Sequence, residues 1–131
     1  MNAFDDLQVA QKNFAYRDLL DIDLWDSFTP VFGSLTVVGD TSYEGRYRIV
    51  GRQFQFQVRF SAGTSIASSA GTDYLTLPVA AQGLAGMAMM TNDTTNIAVG
   101  VCHIDVTTSR CYLPSQVASA NTFTIAGWYE I

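Results

Sequence analysis

Among its 131 residues the chain holds one histidine, two cysteines and twelve carboxylate side chains. Cys102, His103, Asp105 and Cys111 are metal-ligand types close together, but on a hairpin whose side chains alternate between faces they project both ways instead of converging. His103 therefore reads as a structural or surface histidine. A Gly-x-Ser-x-Gly nucleophile turn is absent, and so is a glycine-rich loop able to cradle phosphate. Asp21, Asp23 and Asp26 bring the oxygens that calcium wants, yet a turn glycine and a closing glutamate are missing and Leu24 and Trp25 interrupt the run. They read as solvated or partner-facing. Paired carboxylates for glycoside cleavage would come from Asp40, Glu44, Asp73, Asp93, Asp105 or Glu130, and no pattern brings two of these together. The expectation is a protein that is not an enzyme and uses no metal and no cofactor. Tyr43, Tyr74, Tyr112, Trp128 and Tyr129 offer ring faces on which a sugar could stack, although a place in the core or at a subunit contact is the stronger reading for each. Met87, Met89 and Met90 read as gap-filling core.

The elements that would carry these residues are strands. In Gly45–Phe60 the side chains alternate so that Phe54, Phe56, Val58 and Phe60 share one face, with Gln53, Gln55, Gln57 and Arg59 on the other. Tyr47 and Ile49 repeat the pattern against Arg46 and Arg48, and Gly51 can take the positive φ of a tight turn, so a hairpin is predicted. Further strands are expected at Val31–Val38, Tyr43–Val50, Gln53–Ser61, Tyr74–Leu77, Met87–Thr91, Asn96–Ile104, Arg110–Leu113 and Thr122–Ile131, between Gly, Pro, Asn, Asp and Ser clusters. Many short strands without a long helix predict an all-β, antiparallel β-sandwich of jelly-roll-like type. Ala62–Asp73, rich in Gly, Ser and Ala, is expected to be an exposed, mobile loop. Residues 1–29 differ: their apolar positions fit neither period cleanly, and they predict an N-terminal extended arm ahead of a sandwich domain at 30–131.

Length fits a single domain that can fold by packing alone. Charged residues are only 15% of the chain, and interface cores are depleted in charge, so lasting contact with other chains is one reading and a Ser/Thr/Asn surface the other. The net charge of −5 sits at the front, where residues 1–45 carry eight acidic and two basic groups against four and five in the remainder. Four arginines at 46, 48, 52 and 59 are too few for a nucleic-acid footprint. No apolar run is long enough to span a membrane and no secretion signal is visible, so neither membrane insertion nor export is expected and the product is made in the cytoplasm. Cys102 and Cys111 would face each other across a hairpin turning near Val106 and Thr107; a disulfide is conceivable there, with free thiols the preferred reading.

Phe28-Thr29-Pro30, Gly45-Arg46-Tyr47-Arg48-Ile49-Val50-Gly51-Arg52, Leu75-Thr76-Leu77-Pro78 and the closing Phe123-Thr124-Ile125-Ala126-Gly127-Trp128-Tyr129-Glu130-Ile131 together resemble the small β-sandwich domains of tailed-bacteriophage virion proteins. The resemblance covers residues 28–131. It implies a virion location and a homotrimer, in one of two roles: a capsid decoration (cement) protein bound across capsid subunits, or a tail-fibre tip recognising host glycans; a sugar-processing enzyme using Asp105 and Glu130 is the third reading. A fibre tip ordinarily follows a stem, whereas here a short acidic arm begins at Met1, which favours the decoration role. The major capsid protein or another virion protein is then the expected partner, and Phe4, Leu7, Phe14, Leu19, Leu20 and Trp25 are the expected contacts. The glycan alternative would use the loops Ala62–Asp73 and Thr91–Asn96.

Overall fold

A computed structural model describes residues 25–83 and 85–131, and among these it contains strands and turns but no helix. The strands are β1 (Asp26–Phe28), β2 (Phe32–Gly33), β3 (Thr36–Val38), β4 (Thr41–Val50), β5 (Gln53–Ala62) and β6 (Ser65–Ser68). They continue with β7 (Tyr74–Thr76), β8 (Gly86–Asn92), β9 (Ile97–Asp105), β10 (Arg110–Tyr112), β11 (Gln116–Ser119) and β12 (Thr122–Glu130). β4 and β5 form the expected hairpin, in register from Thr41 opposite Ala62 to Val50 opposite Gln53. Its turn is Gly51-Arg52, with Gly51 at φ 61°, the left-handed conformation that glycine adopts without a Cβ penalty.

Nine strands form one antiparallel sheet in the order β1-β4-β5-β12-β8-β9-β10-β7-β2, and β11-β6-β3 form a second. The C-terminal strand β12 lies between β5 and β8, paired with both over most of its length. The long sheet curls, because Phe32 of β2 at one end packs against Phe60 of β5, ring centroids 4.9 Å apart, and against Tyr43 of β4 at 5.6 Å. The result is the antiparallel β-sandwich that the alternation predicts. Its core is centred on the β5 stripe: Phe54, Phe56, Val58 and Phe60 are 0–1% exposed, and Phe123, Ile125 and Tyr129 of β12 lie beside them. Burying each such side chain is worth about 1.5–3 kcal/mol before chain entropy is subtracted.

Several local expectations are corrected. Residues 31–38 are two strands, not one, because Ser34 takes a left-handed backbone (φ 64°) and turns the chain from β2 into β3. Ala62–Asp73 is not a loop throughout: it contains β6, whose Ile66 is fully buried and which pairs with both β3 and β11. β1 and β11 are additional strands. Of the residues assigned to an arm, Asp26–Phe28 pair with Tyr47, Arg46 and Gly45 of β4 as an edge strand; residues 1–24 lie outside the described residues.

Candidate functional site

The outer face of the long sheet is a grid fixed by strand register. One row runs Arg48, Gln55, Trp128, Met87; the next runs Arg46, Gln57, Ala126, Met89, Val101; a third runs Glu44, Arg59, Thr124, Thr91, Ala98. Strands β4 and β5 supply planar polar side chains, β12 supplies an indole beside a methyl, and β8 and β9 supply thioethers and a valine. The face therefore grades from polar to apolar across five neighbouring strands, without a change of sheet.

On the polar side the groups bind one another. Arg46 donates from Nε (2.8 Å) and Nη2 (2.5 Å) to Gln57 Oε1, Arg48 Nε donates to Gln55 Oε1 at 2.6 Å, and Gln55 Nε2 donates to Gln53 Oε1 at 2.6 Å. These bonds hold the glutamines and arginines in fixed rotamers. Trp25, just before β1, lies under both guanidinium groups, with Arg48 Cζ 4.7 Å and Arg46 Cζ 5.1 Å from its ring centroid. Each such contact is worth about 0.5–1 kcal/mol at an exposed site. Farther along, Asp93 accepts a hydrogen bond from Thr124 Oγ1 and one from Thr91 Oγ1 (3.1 Å), and its carboxylate stands 3.7 Å from Arg59.

Two clefts meet at Trp128. A cleft of about 330 Å³ is lined by Trp25, Arg48, Gln55, Gln57, Ala126 and Trp128, with backbone of Phe56 and Gly127 in its floor. A smaller one of about 160 Å³ lies on the other side of the same indole, between it and Met87, Met89 and Val101. Ala126 makes the depression, since a methyl stands there between two larger outward residues of β12. Gly127 beneath it points inward, where a Cβ would collide with the Met87 carbonyl and with Ala88 of β8. Met87, Met89 and Val101 are 61%, 47% and 67% exposed. The expectation that all three methionines fill the core is thus corrected: Met90 is fully buried and Met87 and Met89 face outward. The alternation Met87-Ala88-Met89-Met90 carried that signal, with Ala88 and Met90 sharing the inner face.

The other residues singled out by the sequence fall in different places. Phe4, Leu7, Phe14, Leu19 and Leu20 lie outside the described residues, and Trp25 packs on its own sheet as above. Tyr129, offered as a stacking platform, is fully buried; its hydroxyl donates to the Val79 carbonyl (2.7 Å) and accepts from the Val79 N–H (3.2 Å), and burial pushes its pKa up to about 12. Tyr74 and Tyr112 pack edge to face on the outer side of β7 and β10, with Arg110 over Tyr74 at 4.1 Å. The hydrogen bond from Arg110 to Tyr112 raises the arginine's pKa further. His103 is exposed and stacks on Tyr112, whereas Cys102 and Cys111 are buried, free thiols on the opposite face. The neighbouring Cys102 thiol and then burial hold the Cys111 pKa well above its ordinary value, so it stays protonated. Asp105 closes the β9–β10 turn: Thr108 and the N–H groups of Thr107 and Thr108 bond it and lower its pKa.

No protein-family model, curated protein or solved structure matches this chain.

Proposed function

We propose that the chain is a structural protein of a tailed-bacteriophage virion: a homotrimeric capsid decoration protein that binds across capsid subunits and stabilises the head. The observation that carries this reading is the outward apolar band of Met87, Met89 and Val101, which with Ala126 and half-buried Trp128 forms a continuous patch on one sheet face. Apolar surface left in water costs about 25 cal/mol per Å², and a contiguous patch of this kind marks a surface that another chain covers. The resemblance of residues 28–131 to small virion β-sandwiches supports the same reading, as does the low charge of the sequence. The mechanism is mechanical. Ligation of the assembled shell adds buried area across subunit boundaries and so shifts the equilibrium away from subunit loss under the pressure of packed genome.

The test is binding to empty capsids. The full chain is expected to bind and to raise the temperature at which the shell opens, while a chain lacking residues 1–24, which keeps Trp25 and β1, is expected to stay folded and lose binding. Undiminished binding by the shortened chain refutes the assigned role of Phe4, Leu7, Phe14, Leu19 and Leu20. Absence of the protein from the heads of intact virions in electron micrographs refutes the decoration role.

One observation favours the second reading, attachment of the virion to host glycans as a tail-fibre tip. Trp25 and Trp128 line one cleft with Arg48, Gln55 and Gln57, which combines ring faces with directional hydrogen-bonding groups. In this reading the recognising surface is the sheet face and not Ala62–Asp73, of which Ser65–Ser68 is sheet-bound strand.

A further inference from the structure

We propose that the cleft between Trp25 and Trp128 binds an acidic saccharide, with a sugar ring against the Trp128 indole, its carboxylate on Arg48 and its hydroxyls on Gln55 and Gln57. The inference rests on the glycan-attachment reading and names the ligand class of that site; because Ala126 and Trp128 also border the apolar band, a chain covering that band would compete with the sugar for them.

Three features of the cleft select this chemistry. First, a pyranose ring has an apolar C–H face and a rim of hydroxyls, and it needs an aromatic plane set beside side chains that both donate and accept. Trp128 and Gln55 are direct cross-strand partners, and Gln57 is the partner of Ala126, so indole, amides and a shallow methyl floor lie within one two-by-two block of the grid. Secondly, the polar groups are already fixed. Arg48 holds Gln55 Oε1, Arg46 holds Gln57 Oε1, and Trp25 supports both arginines from beneath, so a ligand meets a preformed surface and loses little affinity to ordering it. Thirdly, Arg48 is the one charged residue among the described residues lining the cleft. A guanidinium carries five N–H donors, and the bond to Gln55 uses the one on Nε. Its terminal fork matches a carboxylate in shape and charge. A neutral sugar would leave that charge uncompensated, and an acidic one satisfies it.

The experiment screens the full chain against galacturonate and glucuronate oligomers and sialyl-lactose beside galactose, glucose and lactose oligomers of the same length, with affinities of the hits taken by calorimetry. The acidic sugars are expected to bind at least about tenfold more tightly than their neutral counterparts. Arg48→Gln is expected to erase that preference, and Trp128→Ala to weaken acidic sugars by about tenfold or more while the sandwich stays folded, since the ring lies on the outer face and outside the core. Trp25→Ala, which withdraws the support of both arginines, serves as the second variant should Trp128→Ala unfold. Equal binding of acidic and neutral sugars overturns the inference while leaving the glycan reading in place. Binding of no sugar overturns both, and affinity for acidic sugars that survives both tryptophan replacements overturns the assigned site.

Discussion

Tyr129 shows how a single residue ties distant parts of this chain together. From β12 its hydroxyl takes both the carbonyl and the N–H of Val79, in the connection that follows β7, while its ring packs among Phe54 and Phe56. Tyr129→Phe leaves two backbone groups without their partner and should cost about 1–3 kcal/mol in urea or thermal unfolding. The effect depends on pH with a definite sign. In the folded chain the phenol titrates at about 12, against about 10 for a tyrosine in an unfolded chain. The folded state therefore holds its proton more tightly, and this contribution is full below about pH 10 and is lost as pH rises towards 12. Between those values wild type should lose stability that Tyr129→Phe does not, so the gap between the two narrows; a constant gap would contradict the burial of the phenol.

At the scale of elements, β6 separates composition from structure. Ser65–Ser68 sits in a stretch of Gly, Ser, Ala and Thr that reads as a loop, yet Ile66 enters the core and Gln116 of β11 donates its side-chain N–H to the Ile66 carbonyl. The single large apolar side chain is the anchor. Ile66→Ala should destabilise by about 2–5 kcal/mol, the range for a buried isoleucine that leaves a cavity. Hydrogen exchange should show the amides of Ser65–Ser68 protected in wild type, and fast exchange there would remove β6 from the fold. The same element explains the short second sheet, since β3 and β11 each pair only with β6. The strong alternation of β5 needs no such help, because every second residue over its ten positions is apolar and buried on the inner side.

At the scale of the whole molecule, the outer face presents an apolar half on β8 and β9 and a polar half on β4 and β5, and the two halves are proposed to meet different partners. Met89 lies at the centre of the apolar half. Met89→Glu places a charge in that patch without touching the core, so unfolding should move by no more than about 0.5 kcal/mol. Association in sedimentation experiments should weaken by about tenfold or more, because a desolvated charge at a contact lacks compensation. Persistence of the proposed trimer in Met89→Glu would move the proposed subunit contact elsewhere on the surface.

What the sequence determined by itself was what a strand's period of two expresses: the hairpin at 43–61, the inner stripe of Phe54, Phe56, Val58 and Phe60, the all-β class, and the glycine at the turn. Alternation is local, and it survives any arrangement of neighbours. The tertiary structure decided what alternation cannot carry, namely which strands lie side by side. Only the insertion of β12 between β5 and β8 brings Trp128 beside Gln55 and Met87. Only the pairing of β1 with β4 sets Trp25 under Arg46 and Arg48. Those contacts join residues tens of positions apart, and they depend on which hydrophobic faces close on one another in the folded sandwich, a choice made by packing over the whole chain.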